Sequence, residues 1–96
     1  MKTLRLLPKA VQDLDGIWLH IAKDNIAAAD TLIDDLTECF HALCKAPNIG
    51  AACPQPAPGL RRFSSRGYVI FFSVHADRLI IERVLHGARD IDALFG

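Results

Sequence analysis

The side chains best suited to chemistry gather late in the chain. The run Arg83-Val84-Leu85-His86-Gly87-Ala88-Arg89-Asp90 sets a histidine between two arginines. Positive neighbours lower the pKa of an imidazole, so His86 could serve as a general acid. Equally, it could hydrogen-bond backbone where the last strand ends. His20, His41 and His75 stand outside any such constellation and read as surface or packing residues. There is no Ser-His-Asp signature, glycine-rich phosphate loop or His-Glu-x-x-His pattern. Cys39, Cys44 and Cys53 are odd in number and unpaired in spacing, so reduced packing thiols are expected rather than disulfides. His41-x-x-Cys44 has no second pair to complete a metal site. These residues call for no cofactor and no metal, and they assemble no catalytic set.

Charge narrows the classes further. Eleven Lys+Arg cancel eleven Asp+Glu, so this is not a bulk nucleic-acid binder. The balance conceals an asymmetry: residues 1–59 hold five basic and seven acidic side chains, and residues 60–96 hold six and four. No acid occurs between Glu38 and Asp77, where Lys45, Arg61, Arg62 and Arg66 fall. A field of that sign could bind phosphate or an acidic peptide, or simply solubilise the rim of an apolar sheet. At 96 residues, with 51% hydrophobic and 23% charged residues, the composition fits one compact domain spanning 1–96 and excludes a disordered tail. The longest apolar stretch, Val69-Ile70-Phe71-Phe72, is far short of a membrane span, and the N-terminal residues lack the apolar core of a signal peptide. A cytoplasmic protein is expected.

The elements that must position these residues follow from periodicity. Thr3–Leu7 reads as a short strand. Ala10, Leu14, Ile17 and Ile21 repeat at helical spacing after Pro8, which suits a first helical turn. Asp24-Asn25 breaks that helix, and Asn25 can cap a second one, striped by Ala29, Leu32, Leu36, Phe40 and Leu43 and stopped at Ala46-Pro47. So short a break gives an antiparallel hairpin. Asp30, Asp34 and Glu38 form a solvated acidic stripe on its far side. Asn48–Gly59 reads as a Pro/Gly loop. The period then changes to two: Leu60–Ser64, Tyr68–Val74 and Leu79–Leu85 are strands joined by tight turns. Gly87–Phe95 is expected to hold one helical turn capped by Asp90.

The expected class is therefore α+β: an N-terminal strand, then an antiparallel helical hairpin packed on an antiparallel sheet meander, with a short C-terminal helical turn. A two-residue turn at Ala76-Asp77 pairs Val74 with Leu79, Phe72 with Ile81, Ile70 with Arg83 and Tyr68 with Leu85 on the helix-covered face. A turn at Ser65-Arg66 sets Arg62 opposite Val69. The other face then shows Leu60, Val69, Phe71, Ile80 and Val84, rimmed by Arg62, Glu82 and His86. Small proteins seldom leave such a patch to water. Either a partner covers it or Gly87–Phe95 folds back, with Leu94 and Phe95 as the lid. On this register Arg83 lies beside Ile70 and Tyr68 and can pair with Asp90.

Five pieces run through nearly the whole chain in order: Ala22-Lys23-Asp24-Asn25 with Ala27-Ala28-Ala29, Pro47-x-x-Gly50, Pro58-Gly59-Leu60-Arg61, Gly67 to Phe72, and Arg83 to Asp90. In these the chain resembles the toxins of the RelE/ParE superfamily, and within it the ParE toxins of bacterial toxin–antitoxin pairs. The resemblance implies a strand, a helical hairpin, a three-stranded meander and a short C-terminal helix. It also implies one of two activities. RelE-like members cleave mRNA on the ribosome with basic side chains on the open sheet face and a Tyr or His near the C-terminus. ParE-like members poison DNA gyrase and leave broken DNA. A cognate antitoxin neutralises either kind.

Ribonuclease members carry two lysines one residue apart on the strand before the Gly-Tyr, and an arginine directly after it. Those positions are Leu60, Arg62 and Val69 here, and of the three only Arg62 is basic. Near the C-terminus, where such nucleases place an aromatic acid, Leu94-Phe95 offers no proton. Losing one electrostatic donor costs roughly 10²–10³-fold in rate. The expectation is a non-enzymatic ParE-like toxin that binds DNA gyrase and stabilises cleaved DNA, neutralised by a ParD-like antitoxin. A ribosome-dependent mRNA interferase and a non-toxic interaction module are the alternatives. Gyrase contacts are expected at Arg62, Arg83, His86, Arg89, Leu94 and Phe95. Antitoxin contacts are expected at Leu14, Trp18, Val69, Phe71, Ile80 and Val84, by a helix in the groove near Leu14 and Trp18 or by strand addition at the sheet edge. Trp18 could equally be core.

Overall fold

A computed structural model describes residues 1–53, 58–87 and 90. The chain runs β1 (Thr3–Leu6), α1 (Pro8–Ala22), α2 (Ile26–Lys45), a 3-10 turn (Pro47–Ile49), β2 (Ala51–Ala52), β3 (Arg61–Ser65), β4 (Tyr68–Val74) and β5 (Arg78–His86). Pro8 opens α1, where its missing N–H is not needed. The side chain of Asn25 accepts from the Ala28 N–H at 3.0 Å and starts α2. Ala46, held before Pro47, is forced out of the helical region (φ −141°, ψ 73°) and ends α2. The expected C-terminal helical turn lies outside the described residues, apart from Gly87 and Asp90.

The two helices cover one face of a five-stranded mixed sheet ordered β1-β5-β4-β3-β2. The β3–β5 meander is antiparallel, as expected. The sheet is larger than the meander, because β1 pairs in parallel with β5, Leu4 beside Leu79 and Arg5 beside Ile80. The helical hairpin between β1 and the meander supplies the crossover a parallel pair needs. At the other edge β2 adds two residues, drawn from what reads in the sequence as plain loop. Between helices and sheet lies the main core, with Leu36, Phe40, Leu43, Ile70, Phe72 and Leu79 all 1% exposed or less. At ~25 cal/mol per Å², this layer is the largest stabilising term in the fold.

Two registers differ from the alternation expected. The β3–β4 hairpin turns at Arg66-Gly67, both with positive φ (57° and 82°), as a two-residue loop of the primed type requires. Arg62 therefore opposes Phe71, not Val69, and keeps its face. The β4–β5 turn is at Ala76-Asp77 as expected, with the His75 N–H donating to the Arg78 carbonyl at 2.9 Å. Phe72 then opposes Ile81, but Phe71 opposes Arg83, so Glu82 is an extra residue in β5. This β-bulge shifts every later pair by one. Val84, not Arg83, meets Ile70, and His86, not Leu85, meets Tyr68.

The bulge overturns one placement outright. Val84 is not on the face away from the helices: it joins the main core at 1% exposure, and Leu85 takes the outer side. Nor is that outer face an open apolar patch. Val69 (4%), Phe71 (1%), Leu60 and Leu85 are buried with Cys53 in a second cluster. Strand β4, central in the sheet, is buried on both faces from Tyr68 to Phe72. A run of five covered residues in a middle strand reads as continuous rather than alternating hydrophobicity.

Candidate functional site

Asp13, on α1, organises the end of the sheet. It falls three residues after Ala10 and four before Ile17, both on the helix side facing the core. A carboxylate at that spacing is carried toward the sheet and must find partners there. Arg83 supplies them: its Nε donates to Asp13 Oδ2 at 2.8 Å and its Nη2 to Oδ1 at 3.0 Å. The N–H of Val84 donates to Oδ2 at 3.0 Å, so the same carboxylate also ties down the strand just past the bulge. Donating to the Asp13 carboxylate outweighs the cost of burial and holds the Arg83 guanidinium charged, above its ordinary range. Arg83 is thus engaged with α1, where the register alone offers Asp90. Asp90 is also near enough to help hold that charge, and it accepts from the His86 N–H at 2.8 Å.

His86 packs its ring edge-on against Tyr68, with centroids 5.4 Å apart and planes at 89°. A cavity of about 220 Å³ opens beside this pair, between Asp13, Gly16, His20, Tyr68, Val84 and Asp90. Of the expected target-contacting residues, Arg83 and His86 therefore lie together at this end of the sheet. Arg62 lies elsewhere, half-buried on the face away from the helices. Arg89, Leu94 and Phe95 fall outside the described residues.

The expected antitoxin contacts divide in the same way. Leu14 is half-buried against the main core. Trp18 is half-buried too, and its Nε1–H donates to Asp30 Oδ1 at 2.7 Å, tying α1 to α2 across the hairpin. Trp18 is thus a structural bridge with a partly accessible ring. Val69, Phe71 and Val84 are covered, whereas Ile80 is partly exposed on the outer sheet face. There it borders a groove of about 490 Å³ with Leu7, Leu60, Ser73, His75 and Glu82.

Cys44 and Cys53 are buried and Cys39 is half-buried, in line with packing roles. Burial pushes the Cys44 thiol up. His20, His41 and His75 are exposed. No group of three or more metal-binding side chains occurs among the described residues, and no described helix is long and apolar enough to cross a membrane.

Set beside known proteins, this arrangement has clear relatives. The family of the "ParE toxin of type II toxin-antitoxin system, parDE" matches residues 4–91. Toxin ParE3 of Caulobacter vibrioides is 26% identical over 85 residues, covering 88% of this chain and 85% of the relative. Toxin ParE1 of Mycobacterium tuberculosis is 29% identical over 89 residues, 91% of each chain. Among solved structures, the chromosomal ParDE TA system from P. aeruginosa superposes with a TM-score of 0.76 at 27% identity, over 90% of this chain and 96% of that one. The toxin–antitoxin complex RelBE2 of Mycobacterium tuberculosis shares the fold, with a TM-score of 0.65 at 20% identity over 88% of this chain and 96% of that one. With a family match that takes in β1 through β5 and Asp90, this chain belongs to the ParE toxins of type II toxin–antitoxin systems.

Proposed function

We propose that this toxin acts without catalysis, by binding DNA gyrase in the cytoplasm and stabilising the enzyme on cleaved DNA, and that a ParD-like antitoxin neutralises it. The observation that carries the reading is the state of the sheet around Arg83. Metal-free phosphodiester cleavage needs several free cations around one phosphate, together with an acid and a base. Here Arg83 is held by Asp13 on the helix side, and the aliphatic Leu60 and Val69 are buried in the second cluster. Arg62 is left without a cationic neighbour from those positions. A surface of that kind suits contact with protein. Gyrase contacts are assigned to Arg62, Arg83 and His86, with Arg89, Leu94 and Phe95 completing the set. The antitoxin is assigned to the hairpin around Leu14 and Trp18 and to the outer sheet face around Val69, Phe71 and Ile80; Val84, in the main core between helices and sheet, drops out of that set. The P. aeruginosa relative is itself part of a ParDE system, which supports an antitoxin partner.

A supercoiling assay tests the reading. Purified toxin at micromolar concentration should stop gyrase-driven supercoiling and leave linear DNA after denaturation of the enzyme, and equimolar ParD-like antitoxin should restore activity. Unimpaired supercoiling, with codon-phased cuts appearing in translated message, would replace this reading with the interferase one.

A further inference from the structure

Tyr68 is 8% exposed and belongs to the main core, yet its hydroxyl makes no hydrogen bond among the described residues. A phenol sealed from water in that state would be costly. It is not sealed. Among the described residues, the buried side-chain nitrogen or oxygen that lacks a partner is Arg61 Nε, so the Tyr68 hydroxyl reaches open space. That space is the cavity of about 220 Å³ between α1 and the end of β5, which Tyr68 lines.

Gly16 keeps the cavity open. It lies inside α1, where glycine is less favourable than alanine. No close approach requires it, because a Cβ at Gly16 would meet nothing within 4 Å. A longer side chain would extend over the cavity instead. The walls are acidic: Asp13 and Asp90 both line the space, with Arg83 paired to Asp13 as the cation beside them. Asp13 Oδ1 accepts from Arg83 Nη2 and has a second lone pair to offer. Ile17 and Val84 add an apolar strip, and the exposed Gln12 and His20 form the rim. Such walls repel an anion, and no group of three or more metal-binding side chains occurs among the described residues. At about 30 Å³ per water-sized occupant, the space holds roughly seven non-hydrogen atoms.

We propose that this cavity binds a small organic cation, a guanidinium or ammonium group on a short alkyl stem. The cationic head donates to Asp13 Oδ1 and to the Tyr68 hydroxyl oxygen, and the stem lies on Ile17 and Val84. The site is on the helix side of the sheet, and the proposal does not depend on gyrase being the target.

Tyr68 is the single tyrosine of the chain, so its ring resonances report on the cavity in NMR spectra of the full protein. The probe is n-propylguanidinium, with butyrate and n-butanol as an anion and a neutral molecule of similar size. Saturable shifts of the Tyr68 ring and the Gly16 amide are expected at millimolar probe or below. Butyrate and butanol should bind at least about tenfold more weakly. Tyr68→Phe, read at the Gly16 and Val84 amides, should weaken the cation about tenfold. It should keep the wild-type circular dichroism and melting temperature, because the hydroxyl has no protein partner to lose. Gly16→Met installs a better helix former and fills the cavity, so the Tyr68 shifts should vanish while the fold is kept. A blocked Gly-Gly-Arg-Gly-Gly peptide carries the same head on a chain larger than the cavity, and should bind about tenfold more weakly than the free cation. Absence of saturable shifts, equal binding of the three small probes, undiminished binding in either variant, or tighter binding of the peptide would each overturn the proposal.

Discussion

Removing the carboxylate of Asp13 should unsettle the domain more than any other loss of a surface-reaching acid. The substitution Asp13→Ala breaks three bonds at once: two from the Arg83 guanidinium and one from the Val84 N–H. Val84 is 1% exposed, so its orphaned N–H has little access to water, a loss of about 1–3 kcal/mol. Arg83 keeps 32% of its side chain exposed, so water recovers part of its solvation. Its share then falls below the about 3–5 kcal/mol typical of breaking a fully buried pair. Together these predict about 2–4 kcal/mol, against a total stability of about 5–15 kcal/mol for a domain of this class. Asp13→Asn keeps one oxygen for the Val84 N–H but loses the charge and sets an amide NH2 against an Arg83 donor, so it should cost about 1–3 kcal/mol. Urea unfolding followed by circular dichroism measures both, and the midpoint of thermal unfolding should drop by at least about 10 °C for the alanine variant. A double-mutant cycle with Arg83→Met isolates the pair and should return a coupling of about 1–3 kcal/mol. An Asp13→Ala variant within 0.5 kcal/mol of wild type, or a cycle with no coupling, would refute the idea that this carboxylate pins the bulged strand.

Three further outcomes follow from local geometry. Gly50→Ala would place a Cβ 2.5 Å from Cζ of Phe72 and 3.1 Å from the Arg62 carbonyl, so it should cost about 1–3 kcal/mol in urea unfolding, although φ at Gly50 is an ordinary −83°. Asn25→Ala removes the bond to the Ala28 N–H at the start of α2, and should cost about 1 kcal/mol, with Asn25→Ser recovering most of it. The raised thiol of Cys44 makes stability fall with alkali: below about pH 9 both folded and unfolded chains hold the proton, and above it the unfolded chain releases it first. Unfolding measured at pH 8 and pH 10.5 should show that loss in wild type and a smaller one in Cys44→Ala, while Cys44 reacts with a thiol reagent only after denaturant is added.

Much of this molecule is legible in its residues because the signals are local. The helical stripes from Ala10 to Ile21 and from Ala29 to Leu43, the cap at Asn25, the stop at Pro47 and the turns around Arg66-Gly67 and Ala76-Asp77 all rest on neighbours within a few positions. They yield the α+β class and the antiparallel meander before any packing is known. Five ordered sequence pieces likewise point to the toxin family. Asp13 left a fainter trace, an acid at core-facing spacing on α1, which calls for a partner without naming it.

What tertiary structure alone decided is how distant segments meet. Strand side chains alternate with period two, so one extra residue at Glu82 exchanges the faces of everything beyond it, and no local pattern announces a bulge. That single residue moved Val84 into the core and brought His86 onto Tyr68. The parallel pairing of β1 with β5, more than seventy residues apart in sequence, gathered Arg5 and Arg78 onto one face in the same way. Composition and periodicity set which elements form, because those depend on nearby atoms. Which charges become partners depends on contacts between segments that chain order does not encode.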